Sequence, residues 1–122
     1  MVQIRNISEK EQALITYLIA KSEQVFKNWK SNLKVKPLLD GGMGSLLLIP
    51  LGANTQNRVF GKCISEFIYT DEDGVTVIVS LYIDNYNQLY ELDMWKTDFS
   101  KLISYPSETD FIKDANCDNK QK

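Results

Sequence analysis

The chain of 122 residues contains no histidine, which removes the Ser-His-Asp and Cys-His nucleophile systems together with the commonest metal ligand. Any acid–base chemistry therefore falls to carboxylates, lysine, tyrosine or cysteine. Cysteine is itself scarce. Cys63 lies in a predicted strand and Cys117 in a polar tail, without the spacing of a metal site, so both read as free thiols of a reducing cytoplasm, with a bridge as the alternative. No apolar run approaches the roughly 20 residues that span a bilayer, and Met1 to Lys10 lacks the apolar stretch and small-residue cleavage site of a secretory signal. The expectation is a cytoplasmic protein with no membrane partner.

What remains is a globular composition, 43% hydrophobic and 25% charged, on a chain long enough to bury one core without disulfides or metals. The net charge of −2 is unevenly laid out: eight Lys and Arg against four acids over residues 1–61, six against twelve over 62–122. This split reads as a basic-leaning helix layer on an acidic sheet. Lys27, Lys30, Lys34 and Lys36 are too few, in too acidic a chain, to predict nucleic-acid binding. Residues 1–112 read as a single domain, and 113–122, with almost nothing to bury, as a flexible tail.

The strongest local pattern runs from Val75 to Ile83, where Val75, Val77, Val79, Leu81 and Ile83 alternate with Thr76, Ile78, Ser80 and Tyr82, a period of two and hence a strand. Asp84 to Asn87 supplies a turn and Gln88 to Trp95 the return strand. A four-residue loop sets Val79 against Leu92 and Val77 against Met94 on an apolar face, with Ser80 against Glu91 and Ile78 against Asp93 on the other. Leu46–Pro50 and Val59–Tyr69 read as earlier strands, the latter joined to the hairpin by an Asp-Gly turn at Thr70–Gly74. The length of that turn, or a bulge near Gly61, decides whether Glu66 lies beside Val79 or beside Ser80 and Glu91. Ser8 and Glu11 form a capping box that starts a helix at Glu9. Its stripe of Leu14, Leu18, Val25, Trp29 and Leu33 carries it to about Ser31, with a break near Lys21–Ser22. The fold class expected is α+β: an N-terminal helix packed on an antiparallel sheet of about four strands from Leu46 to Trp95.

Glu91 and Asp93 project to one strand face, and Glu66 joins them in one register. Such carboxylates can hold a divalent cation or keep one carboxyl protonated as a general acid, although solvated acids on a sheet face are the plainer reading. Asp71-Glu72-Asp73-Gly74 lacks the ligand series of a calcium loop and reads as a solvated hairpin tip. Asp40-Gly41-Gly42-Met43-Gly44-Ser45 has amides for a phosphate but no P-loop lysine and no following helix, so it reads as a structural turn whose glycines also permit close approach of a ligand or another backbone. Tyr82, Tyr90 and Trp95 read first as core or sheet-rim aromatics; beside the acids on an uncovered face they would instead make a protein-binding patch. The candidate binding residues are thus Asp40, Gly41, Gly42, Glu66, Tyr82, Glu91, Asp93 and Trp95, with no catalytic set and no cofactor motif.

The Asp40–Ser45 loop, taken together with Glu91-Leu92-Asp93-Met94-Trp95-Lys96-Thr97-Asp98-Phe99, resembles a family of small uncharacterised bacterial proteins, a domain of unknown function, from the Ile7–Glu11 helix start to Tyr105-Pro106. The resemblance implies a bacterial single-domain protein and brings no activity with it. The function expected from the residues is a non-catalytic interaction or adaptor domain whose partner is another protein, a homodimer included. The alternative is a carboxylate-based enzyme or a metal- or small-ligand-binding domain using Glu66, Glu91 and Asp93. A pocket or interface is expected on the acidic face, with Asp93, Trp95 and the glycine loop at its rim.

Overall fold

The computed structural model describes residues 3–112 and 114–115. Helix α1 spans Glu9–Ser22, and its capping box forms as the sequence requires: Glu11 N–H donates to Ser8 Oγ at 3.2 Å and Ser8 N–H to Glu11 Oε1 at 2.9 Å. Two of the amides left free at a helix start are thereby satisfied. The helix stops where Glu23 turns left-handed (φ 63°), at the expected break, and only a short helix α2, Trp29–Asn32, follows. Val25, assigned above to the apolar stripe, is 86% exposed. Leu33 belongs to a strand.

Among the described residues the antiparallel sheet has seven strands in the order β1-β2-β3-β6-β5-β4-β7: β1 Arg5–Asn6, β2 Leu33–Pro37, β3 Leu46–Pro50, β4 Phe60–Thr70, β5 Thr76–Asp84, β6 Leu89–Lys96 and β7 Asp114–Ala115. The four expected strands are β3 to β6, so the estimate of about four is corrected upward, and β1 precedes the helix that was expected to open the fold. The strand β2 was hidden by its short alternation, in which Leu33 and Val35 are buried between the outward Lys34 and Lys36. Its terminal Pro37 is at a strand end, where a missing N–H is tolerated.

One sheet face is the core. Phe67, Tyr69, Val77, Val79, Leu81, Leu92 and Met94 meet Leu14, Ile15 and Leu18 of α1, every one at most 2% exposed. Each such side chain contributes roughly 1.5–3 kcal/mol by leaving water. The expected split of faces is present, yet the partners differ by two residues: Val79 pairs with Met94, Leu81 with Leu92 and Val77 with Lys96, while Ser80 pairs with Asp93 and Tyr82 with Glu91. Two single steps add up to this shift. Asp84 N–H bonds to Gln88 O, which leaves a three-residue loop, and the register slips again between Tyr82 and Ile83. Either step alone would exchange the faces; together they restore them.

The β4–β5 turn is built the same way. Asp71 N–H bonds to Val75 O and Gly74 takes φ 82°, as Asn87 takes φ 61° in the other turn. This again leaves a three-residue loop, one residue shorter than a four-residue turn, and sets Glu66 opposite Ser80. The bulges of β4 lie between Phe60 and Lys62 and between Cys63 and Ser65, on the far side of Glu66 from the turn, so the turn alone fixes its register. Cys63 is disulfide-bonded, which corrects the free thiol expected there; Cys117 and the tail 116–122 lie outside the described residues. Among the described residues no helix is long and apolar enough to cross a membrane.

Candidate functional site

The face of the sheet turned away from α1 carries a polar row across its strands. Glu66 on β4 accepts a hydrogen bond from Ser80 Oγ of β5 at 2.7 Å. Ser80 pairs with Asp93 of β6. The Asp93 carboxylate is reached by Tyr82 Oη at 3.3 Å and by Ser45 Oγ at 3.5 Å. Ser45, one residue before β3, is also the partner of Met94 N–H at 2.9 Å. Asp40, Glu91 and Asp93 lie close enough to repel one another: burial first, then Asp93 and Asp40, push the Glu91 carboxyl above its ordinary 4.5.

Five of the eight sequence-predicted residues are thus gathered together: Asp40, Tyr82, Glu91 and Asp93 in one cluster, and Glu66 one strand away. Glu66 is 2% exposed and Ser80 is 0% exposed, so neither is presented to solvent. The Asp40 carboxylate is engaged within its own loop by Met43 N–H at 3.1 Å and Ser45 N–H at 2.9 Å. Gly41 (φ 76°) and Gly42 (φ 84°) shape that loop, and a Cβ at Gly42 would lie 2.9 Å from Lys101 Cγ. The close approach expected of the glycines is therefore made by the chain's own segment 99–105, whose Leu102 N–H bonds to Gly42 O at 3.1 Å. The glycine loop does line a cavity, of about 300 Å³, but shares it with Arg5, Glu11 and Tyr105, and neither Asp93 nor Trp95 lines it. Among the described residues no group of three His, Cys, Asp or Glu is placed to hold a metal ion.

Trp95 occupies the open end of the same face. It is 36% exposed, and its ring lies 6.1 Å from that of Phe99, itself 69% exposed. Phe99 adopts φ 64°, a left-handed conformation that is an outlier for a bulky side chain and costs about 1–3 kcal/mol. Local bonds hold it there. Phe99 N–H bonds to Lys96 O at 2.8 Å, Thr97 N–H to Thr76 O at 2.9 Å, and Asp98 accepts from Ser100 N–H at 2.9 Å. The sequence offered no signal for this display, because an aromatic at positive φ breaks the usual preference of that position for glycine or asparagine.

Sequence reasoning also missed what lies behind Trp95. Lys96 is 0% exposed and spends its ammonium on Asp71 Oδ2 at 2.9 Å, Asp73 Oδ2 at 2.7 Å and Lys101 O at 3.0 Å. Asp71 is 3% exposed, so the hairpin tip is not wholly solvated as expected. Its carboxylate also accepts Glu72, Ile103 and Ser104 N–H, at 2.8, 2.9 and 2.9 Å. Burial alone would raise this carboxyl, but the bonds from Lys96 and the three amides outweigh it and hold it well below the usual carboxylate range. The available signal was parity: Lys96 follows Leu92 and Met94 on inward positions of β6.

No curated protein matches the chain. No solved structure matches it either. The sequence model of the domain of unknown function DUF6984 matches residues 4–106, from the residue before β1 to the end of the segment stitched to Asp71. The chain belongs to the DUF6984 family.

Proposed function

We propose that this domain is a non-catalytic protein-interaction module that engages its partner through Trp95 and Phe99. The observation that carries the reading is Phe99 itself, a large apolar ring held in a strained backbone conformation and turned outward beside a second aromatic. A strained residue persists only where its surroundings over-determine it, and such residues cluster at functional sites. Large rigid aromatics carry most of the energy of protein interfaces. Asp98, Asp93 and Glu91 on the adjoining strand and turn suit a partner with a basic rim. Two of the three carboxylates that would serve an enzyme, Glu66 and Asp93, are instead engaged with Ser80, Tyr82 and Ser45. The cytoplasmic setting rested in part on two free thiols, and with Cys63 bonded the reading takes no support from the compartment.

Phe99→Gly separates function from fold. Glycine accepts φ 64° without strain, so this variant should be as stable as the parent or about 1 kcal/mol more stable, while the affinity for a protein copurified from the native host falls at least about tenfold. Trp95→Ala should weaken the same binding by more than about 1 kcal/mol, and a change at the exposed Lys10 should leave it alone. Unchanged affinity in both aromatic variants would refute the reading.

One observation favours a second reading. The raised Glu91 carboxyl, between Asp93 and Asp40, is of the kind that serves as a general acid or takes a cation. Thermal shift with Mg²⁺ and Ca²⁺ separates the two readings: stabilisation that vanishes in Glu91→Gln belongs to the second.

A further inference from the structure

The two strands that flank β3 carry opposite charges at one level of the sheet. In register, Lys36 of β2 stands opposite Leu47, and Leu47 stands opposite Glu91 of β6. All three point away from α1, because the alternate residues Val35, Leu46, Leu48 and Leu92 are the ones buried in the core. Lys36 is exposed, and Leu47, Ile49 and Glu91 are partly exposed, so this part of the face is open. Neither the Lys36 ammonium nor the Glu91 carboxylate has a hydrogen bond or an ion pair within the chain. Two strand spacings, roughly 9–10 Å, separate them, with the apolar pair Leu47 and Ile49 between.

This row is self-complementary. A second copy stacked face to face on the first, about a two-fold axis running along β3 above Leu47, has its β2 over β6 and its β6 over β2. Lys36 of each copy then meets Glu91 of the other, while Leu47 and Ile49 meet their own counterparts. The gap between stacked sheets, about 10 Å, is one that a lysine and a glutamate extended toward each other can span. An axis across the strands would instead set Lys36 on Lys36 and Glu91 on Glu91, so charge selects the first arrangement. Such an isologous contact closes at two subunits. Glu91 gains most from it: burial first, then Asp93 and Asp40, oppose its charge, and a facing ammonium offsets all three. In the separated chain Glu91 stays uncompensated.

We infer that this face is the interface of a homodimer, held by reciprocal Lys36–Glu91 pairs around Leu47 and Ile49. The interface is separate from the contact assigned to Trp95, which lies two outward positions further along β6, and self-association is read with no other protein present.

Sedimentation equilibrium of the full chain is the test. The parent should dimerise with a Kd of about 100 μM or tighter. Lys36→Glu and Glu91→Lys, each alone, should dimerise at least about tenfold more weakly, because each sets like charges together at both contacts. Mixing the two variants should restore a heterodimer within about threefold of the parent affinity, since every contact again joins opposite charges. A loss through misfolding would not be repaired by mixing. A parent that stays monomeric up to about 1 mM would overturn the inference, as would a mixture that associates no more tightly than either variant alone. Lys36 is exposed, so its reversal leaves the fold intact and keeps the test decisive should Glu91→Lys misfold: Lys36→Glu dimerising as tightly as the parent would by itself overturn the inference.

Discussion

Strand β5 has a buried aspartate at each end, and the two ends are wired alike for different purposes. Asp71 opens the β4–β5 turn and Asp84 the β5–β6 turn, each donating its N–H to a residue four positions on, Val75 or Gln88. Each carboxylate accepts four hydrogen bonds. Asp71 takes Lys96, Glu72, Ile103 and Ser104; Asp84 takes Arg58 Nε at 2.6 Å, Tyr86 N–H, Gln88 N–H and the Gln88 amide. The difference lies in what is tied down. Asp84 binds its own turn and Arg58, whose guanidinium also reaches Leu89 O and covers the Tyr90 ring at 4.9 Å. Asp71 binds a distant irregular segment, 101–104, that leads from Phe99 to Tyr105. One end of the strand ties its own turn to Arg58; the other ties down the segment behind the proposed interaction surface.

The largest effect is expected at the purely structural end. Asp84→Ala leaves the Arg58 charge, in a side chain 7% exposed, without its carboxylate, and breaking a buried pair from one side costs about 3–5 kcal/mol. Chemical denaturation checks it. Asp71→Asn should cost less, about 1–3 kcal/mol, because Lys96 keeps Asp73 and Lys101 O. Its distinctive signature is local. Hydrogen exchange should quicken at Ile103 and Ser104 while the β5–β6 amides near Asp84 stay protected, and equal quickening at both ends would erase the contrast.

Acid should act on both ends. Burial raises each carboxyl, but the bonds from Lys96 to Asp71, and from Gln88 and Arg58 to Asp84, leave both below their ordinary 3.8. The stability they contribute is therefore complete above 3.8 and is lost as pH falls through the lower folded values. Melting temperature should drop below about pH 4 in the parent and less steeply in Asp84→Asn, which has one titration fewer. The smallest effect is at Glu91. Its raised carboxyl favours the fold only while protonated, so stability declines as pH rises from 4.5 through the folded value. Glu91→Gln should then add a few tenths of a kcal/mol, roughly 0.2–1, at neutral pH, unless a bound cation already compensates the charge.

Much of this architecture is written in local pattern. The Ser8–Glu11 box, the alternation through Val75–Ile83 and the apolar parity of Leu92 and Met94 each depend on neighbours in sequence, and each recurs in the fold. The register was offset by two because a three-residue loop and a bulge depend on backbone geometry that composition does not encode. The strand β2 escaped notice because Leu33 and Val35 provide only two inward positions, and Leu33 fitted a helical stripe as well. Tyr82, Glu91 and Asp93 come together as strand parity implies, whereas Asp40 reaches them from a loop. The Asp71–Lys96 knot and the approach of Tyr105 to Arg5 and Glu11 join residues 25 or more positions apart, a separation that periodicity cannot bridge.

On the proposed function, the Asp71 end of β5 presents the working surface and the Asp84 end does not. Hydrogen exchange on the complex with a copurified partner tests it most directly. Protection confined to Trp95 through Ile103, with the turn at Asn85–Asn87 exchanging as in the free protein, is the predicted result; protection centred on Asn85–Asn87 and on Asn54–Arg58, with Trp95 to Ile103 unchanged, would contradict it.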